Sequence, residues 1–293
     1  SSPVRVTPRN GLTEVNGRRY RGLVELRKNK KGLILVVNEL DVEDYLKGVI
    51  AAEIPPAWEP EALKAQAVAA RTYALYQKRT AGRRSYHILA TVNSQVYQGN
   101  SVERSKAVRA VQDTEGEVLL YQGRIIPAFY HANCGGRTES AEELWGIDAP
   151  YLRGVDCDCQ RIVENDLWEK RVRVSTVAGA LKRLGYGIGL ITDIGIQDVT
   201  PAGRVKHVVV RSPERTFLVS GDALRSTLGN VLIPSVFFEV ELLDGEAVFS
   251  GRGNGHGVGL CQWGAREMAQ RGHTYRSILA HYYPGTELSR MGE

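Results

Sequence analysis

The chain has 293 residues, 43% of them hydrophobic and 24% charged, a globular balance that excludes intrinsic disorder. Its 31 glycines are too many for a helix bundle and follow no collagen period, so they favour a turn-rich fold. No run approaches the ~20 apolar residues of a membrane span, the opening Ser-Ser-Pro stretch does not read as a charged-then-apolar leader, and the net charge of +5 is concentrated in residues 1–37, where nine basic side chains meet two acids, Glu14 and Glu25.

Residues 1–40 read as short strands, with Asn16-Gly17 as a hairpin turn and a buried strand over 32–38. The basic cluster Arg18, Arg19, Arg21, Arg27, Lys28, Lys30 and Lys31 has two readings. One is attraction to a polyanion, either nucleic acid or an anionic cell surface. The other is a solvated strand edge blocked against pairing. No aromatic side chains interleave to stack bases, and no nucleic-acid partner is expected. Asp41 can cap a helix that Pro55-Pro56 stops. A second, alanine-rich helix begins near Pro60 and ends near 78–79. Residues 80–100 read as loop and strand, 101–112 as a third helix, and 117–130 as a hairpin turning at Gln122-Gly123. Residues 131–165 read mostly as loop. A strand over 170–174 leads into a helix over 175–184. Strands follow at 191–199, 205–211 and 217–219, then a helix over 222–228. A hairpin over 236–250 turns at Asp244-Gly245, and helices close the chain at 262–271 and 275–281. Antiparallel hairpins and segregated helices predict an α+β fold. Four parts are expected: a basic β-rich segment (1–40), a helical and loop part carrying the chemistry (41–160), a β-rich inserted lobe (161–250), and a glycine-rich loop with helices completing the catalytic part (251–293).

Four places attract chemical attention. On the first helix, positions 46, 49, 50 and 53 share a face; three are apolar and the fourth is Glu53. An acid there is disfavoured by the helix dipole and by burial. Both push it toward the protonated form a general acid needs. A plain helix-end glutamate turned to solvent is the alternative. On the second helix, Arg71 among small alanines could orient an anionic or hydroxyl-rich ligand, or be an ordinary surface charge. The third place is the polar loop Phe129-Tyr130-His131-Ala132-Asn133-Cys134-Gly135-Gly136-Arg137-Thr138-Glu139-Ser140, which offers ligand-binding groups. Downstream lie Cys157 and Cys159. Cys134 is expected close to one of them, as a disulfide or as free thiols. Zinc held with His131 is the rival, although C-x-C is poor zinc spacing and no metal is expected. The fourth is 250–264, where glycines alternate around Asn254 and His256 before Gln262. It lacks both phosphate-loop spacings, and its glycines suggest a backbone packed closely against something. Cys261, next to Leu260 and near Trp263, reads as a buried thiol with no catalytic role.

At Asp44-Tyr45-Leu46-Lys47-Gly48-Val49-Ile50-Ala51-Ala52-Glu53-Ile54-Pro55 and Glu61-Ala62-Leu63-Lys64-Ala65-Gln66-Ala67-Val68-Ala69-Ala70-Arg71-Thr72-Tyr73-Ala74 the chain resembles the stage II sporulation protein D family, which includes the amidase enhancers. Residues 253–265 and 278–285 look like the same family's C-terminal signatures, and the likeness spans about 30–290. It implies a lytic transglycosylase acting on peptidoglycan glycan strands, best on strands stripped of stem peptides, outside the cytoplasm. It places the family's catalytic glutamate on Glu53 and its essential arginine on Arg71. No cofactor is implied. Some members hold zinc just before the segment matching Gln95-Val96-Tyr97. This chain has Asn93-Ser94 where they have His-Cys, so that site is expected to be absent. One carboxylate suffices because the muramic acid C6 hydroxyl serves as the nucleophile, whereas hydrolytic glycosidases usually need two. Tyr130, His131, Asn133, Thr138, Glu139, Asn254, His256 and Gln262 are expected to bind glycan, several of them beside Glu53 and Arg71. Two other readings compete: a glycan-binding protein that stimulates a cell-wall amidase without cutting, and a scaffold in a wall-remodelling complex.

Overall fold

Alternation along short strands shapes the start of the chain. β1 (Val4–Val6), β2 (Thr13–Val15), β3 (Arg18–Tyr20), β4 (Leu23–Lys28) and β5 (Ile34–Glu39) pair antiparallel, as a β2–β3 hairpin and a sheet ordered β1-β4-β5. Asn16 and Gly17 both take positive φ, 50° and 75°, as a tight hairpin turn requires. β5 corrects the expectation of a buried strand: Ile34 is 71% and Val36 46% exposed. Its apolar run alternates faces, and the outer face meets solvent. Part of the basic cluster is neutralised internally. Buried Glu25 accepts from Arg5 at 3.0 Å and also from Arg27, and Arg21 grips Glu103 through two bonds of 2.9 Å.

The structure, a computed structural model, describes residues 3–8, 11–29, 31–92, 94–163 and 166–291. Lys30 and Asn93, named above, lie outside the described residues. Contacts divide the chain into two units. The first is Ser1–Ala128, Ala269–Ala280 and Gly285–Glu293; the second is Phe129–Met268 and His281–Pro284.

In the first unit, α1 (Val42–Glu53) starts where the Asp41 carboxylate accepts the Glu43 N–H at 2.8 Å. It ends at Ile54, which the following proline forces into an extended conformation. Leu46, Val49 and Ile50 are fully buried. α2 (Pro60–Thr80) buries Leu63, Ala65, Ala67, Val68, Ala69 and Ala70 completely. Small side chains let neighbours close in on it. α3 (Ser105–Asp113) starts later than its sequence pattern suggests, because Glu103 is drawn to Arg21 and a separate 3-10 turn, Gly99–Val102, comes first. No strand occurs over the described residues of 80–100. β6 (Glu117–Tyr121) and β7 (Arg124–Ile125) turn at Gln122-Gly123.

In the second unit, β8 (Tyr130–His131) precedes α4 (Ala141–Trp145), a helix inside a stretch the sequence presents as loop. Ser140 caps it, accepting the Glu142 N–H at 3.2 Å. β9 (Leu167–Arg173) and α5 (Val174–Arg183) follow. Next come β10 (Asp193–Val199), β11 (Val205–Arg211), β12 (Thr216–Ser220) and α6 (Gly221–Leu228). β13 (Phe238–Leu243) and β14 (Glu246–Arg252) form the expected hairpin around Asp244-Gly245. Two antiparallel sheets, β10-β11-β12 and β13-β14-β9, share an apolar core with α5 and α6 that buries Leu181, Val205, Val208, Val210, Val219, Leu224 and Phe249. β15 (Leu260–Cys261) lies parallel to β8. α7 (Gln262–Gln270) follows. The first unit is completed by most of α8 (Tyr275–Tyr282) and by β16 (Glu287–Arg290), which pairs antiparallel with β6 of the same unit. Helices with antiparallel sheets make the fold α+β.

Candidate functional site

Glu53 is the last residue of α1, half-buried, on the face whose other members are core residues. A carboxylate at a helix C-terminus faces the negative end of the dipole. Here the Val96 N–H donates to its Oε1 at 2.6 Å, a charge-assisted bond that offsets part of that cost. Val96 is held in turn. Its neighbour Gln95, fully buried, donates from Nε2 to the Ala70 carbonyl at 3.1 Å and accepts the Tyr45 hydroxyl at 3.0 Å. Burial, and next the Glu53 charge, push the Tyr45 phenol far above its ordinary range. That ring packs 4.9 Å from Tyr97. Gly48 makes the packing fit, since a Cβ there would lie 2.7 Å from the Tyr97 ring. Glu53 thus sits beside a half-buried tyrosine and a buried glutamine that hold in place the backbone carrying its N–H partner.

Arg71 lies inside the first unit. Its side chain is fully buried. Its Nε and Nη2 each donate at 2.7 Å to the Glu43 carboxylate, Nη1 donates to the Glu117 carbonyl at 3.1 Å, and Nη2 also donates to the Val111 carbonyl at 3.2 Å. The fork ties α1, α2, the end of α3 and the start of β6 together. It fastens the protein to itself and presents no surface to a ligand.

The remaining candidates lie in the second unit. The glycine-rich segment packs where its glycines allow it. Asn133 and Asn254 exchange backbone hydrogen bonds of 2.9 and 2.8 Å, and a Cβ on Gly253 would lie 2.7 Å from the Asn133 carbonyl oxygen. A Cβ on Gly255 would strike that of His131 at 2.6 Å. Close approach is therefore the reason for the alternating glycines. His131 shares its Nδ1 with the Val258 carbonyl at 3.1 Å, which assigns the proton to Nδ1. Its Nε2 is buried without a hydrogen-bond partner. His256 accepts the Val258 N–H on Nδ1 at 3.0 Å, and the two rings lie 5.5 Å apart. Burial first, then His256 and Arg204, hold the His131 imidazolium well below its ordinary range. Burial, then Arg225, push His256 down to about 3. Both are neutral at neutral pH.

His256 also meets Trp145 at 5.1 Å and Phe129 at 6.1 Å, and those two rings touch at 5.0 Å. Phe129, Trp145 and His256 are half-buried, giving a partly open aromatic patch. Trp145 joins Phe129 and His256 because α4 forms within a stretch whose sequence pattern is that of a loop. Three polar candidates turn inward instead. Thr138 exchanges bonds with the Val155 backbone. Asn133 Oδ1 accepts the Gly135 N–H at 2.9 Å. Glu139, 2% exposed, accepts the Thr200 hydroxyl at 2.5 Å and lies 3.7 Å from buried Arg204. Gln262 opens α7 and is buried, Tyr130 is half-buried, and Asn254 is exposed.

The cysteines assemble beyond expectation. Cys134 Sγ lies 3.5 Å from Cys159 Sγ, the proximity the sequence predicts, and both are free thiols. Cys157 and Cys261 join them, so all four sulfurs lie within 4.8 Å of one another. No local spacing could signal Cys261, which lies far along the chain from the other three.

Comparison with known proteins adds independent findings. A family model described as stage II sporulation protein matches residues 30–121, and a model described as a domain of unknown function matches residues 164–259. The stage II sporulation protein D of Bacillus subtilis is 31% identical over 86% of this chain and 76% of its own length. An uncharacterized protein of Brachyspira hyodysenteriae is 36% identical over 87% of this chain and 68% of its own. The amidase enhancer of Bacillus subtilis is 31% identical over 83% of this chain, which spans only 40% of that longer protein.

Proposed function

From its place in the stage II sporulation protein D family, to which this chain belongs, we propose that the protein is a peptidoglycan lytic transglycosylase acting outside the cytoplasm. Its substrate is the glycan strand, cut between N-acetylmuramic acid and N-acetylglucosamine. Glu53 donates its proton to the glycosidic oxygen as the bond to the muramic C1 breaks, and the leaving sugar departs with a free hydroxyl. The resulting carboxylate then takes the proton of the muramic C6 hydroxyl as O6 bonds to C1. A 1,6-anhydro end results, no water is consumed, and Glu53 regains its starting proton. The reading is carried by one observation: an acid closes an otherwise apolar helix face, fixed at 2.6 Å by the Val96 N–H beside half-buried Tyr45 and buried Gln95.

The test is digestion of sacculi with and without prior amidase treatment, followed by mass analysis for anhydro sugars. The wild type is expected to release them, and Glu53→Gln is expected not to. A wild type that releases none defeats the reading. That result favours the second one, a glycan-binding protein that stimulates an amidase, which the name of the amidase-enhancer relative supports.

A further inference from the structure

We propose that Cys134, Cys157, Cys159 and Cys261 bind one zinc ion in a closed, structural site. They come from three separate stretches: the loop after β8, the 3-10 turn Asp158–Arg161 with the residue before it, and the junction of β15 with α7. Each is buried, with exposures of 1%, 7%, 0% and 0% in that order. Their sulfurs all lie within 4.8 Å of one another, and Cys134 and Cys159 are 3.5 Å apart. Four sulfurs at about 2.3 Å from a tetrahedral zinc stand about 3.8 Å from each other. Two disulfides would give each sulfur one sulfur neighbour; here each has three.

Donors face two of the sulfurs, as thiolates require. The N–H groups of Cys134 and Gly264 donate to Cys261 Sγ at 3.3 and 3.4 Å. The Tyr282 hydroxyl lies 3.1 Å from Cys157 Sγ. Four thiolates around Zn²⁺ leave two negative charges, and a buried cation stands beside them. Arg204, 1% exposed, donates to the Cys134 carbonyl at 2.7 Å. Such outer partners fix metal ligands and tune them. The packing leaves no slack, since a Cβ on Gly264 would lie 2.3 Å from Cys157 Sγ.

Four protein ligands fill a tetrahedral site, so the ion offers no position for water or sugar. Its work is mechanical. It pins the loop carrying His131 and Asn133 to the start of α7, in a region with few aliphatic anchors. It is independent of the glycan chemistry proposed for Glu53.

The full chain, purified without chelator, is to be analysed for metals by mass spectrometry. One zinc per chain is expected, with the four thiols protected from alkylation until metal is stripped by chelator in denaturant. Cys159→Ser and Cys261→Ser are expected to lose zinc. Because such variants can misfold, the wild type reloaded with Co²⁺ gives a second readout: thiolate-to-cobalt charge-transfer absorption together with tetrahedral cobalt bands. Three results overturn the proposal: protein that holds no zinc and takes none up at equimolar addition, an intact mass four hydrogens light from two disulfides, or stoichiometric iron in place of zinc.

Discussion

Arg71→Met separates scaffolding from substrate contact. The substitution keeps much of the side-chain volume and removes the fork. It leaves the Glu43 carboxylate, only 17% exposed, without its two 2.7 Å bonds, and strips the carbonyls of Val111 and Glu117 of a donor. Breaking a buried ion pair by removing one partner costs about 3–5 kcal/mol, because the other charge stays behind. At roughly 2–4 °C per kcal/mol for 150–250 residues, the melting temperature should fall by about 6–20 °C. Arg71→Lys should fall less, since one ammonium replaces only part of a planar fork. Adding Glu43→Gln to Arg71→Met should recover part of the loss, since the stranded charge is then gone. Thermal unfolding followed by near-ultraviolet circular dichroism reads all four proteins. Wild-type melting of Arg71→Met, with glycan cleavage abolished, would refute this reasoning and return Arg71 to the substrate.

Further outcomes can be checked. Glu53→Gln should lower anhydro-sugar release at least ~10²-fold with unchanged melting; a folded mutant at normal rate removes Glu53 from the mechanism. Trp145→Ala should weaken glycan-strand binding roughly two- to tenfold if the aromatic patch stacks on sugar, measured by pull-down on purified glycan. Gly48→Ala should destabilise the first unit, because the new Cβ would sit 2.7 Å from Tyr97 and 2.8 Å from the Gly99 carbonyl oxygen; an unchanged denaturant midpoint contradicts that packing. For His256, burial lowers the folded pKa to about 3 from 6.5, so the unfolded chain takes up protons first as pH falls. The stability from keeping it neutral is complete above about pH 6.5 and drains away toward about pH 3. Midpoints at about pH 7 and about pH 5 should differ less in His256→Gln than in the wild type; equal slopes would reject the assignment.

What the sequence made legible follows local physics. Asp41, Pro55-Pro56 and Pro60 fix α1 and α2 because caps and prolines act within a few residues. Asn16-Gly17 and Asp244-Gly245 mark hairpins for the same reason. Glu53 stands out because a helical face is a local pattern. The burial of Arg71 is not legible because its partners, Glu43 and the carbonyls of Val111 and Glu117, lie 28 to 46 positions away. Cys261 is missed more completely: it meets Cys134 at a separation of 127. β5 shows a different limit, since an apolar run records what a strand could bury but not whether anything covers it.

The pairing of β16 with β6 has a consequence for synthesis. β6 emerges from the ribosome early, while Glu287, the partner of Leu120, comes only after residues 122–286 have been made. At roughly 5–20 residues per second that delay is on the order of ten to thirty seconds. Throughout it β6 keeps one unpaired edge, a template for strands of other nascent chains. A chaperone that shields this edge should raise the yield of folded protein, and a circular permutant that brings β16 next to β6 should need it less.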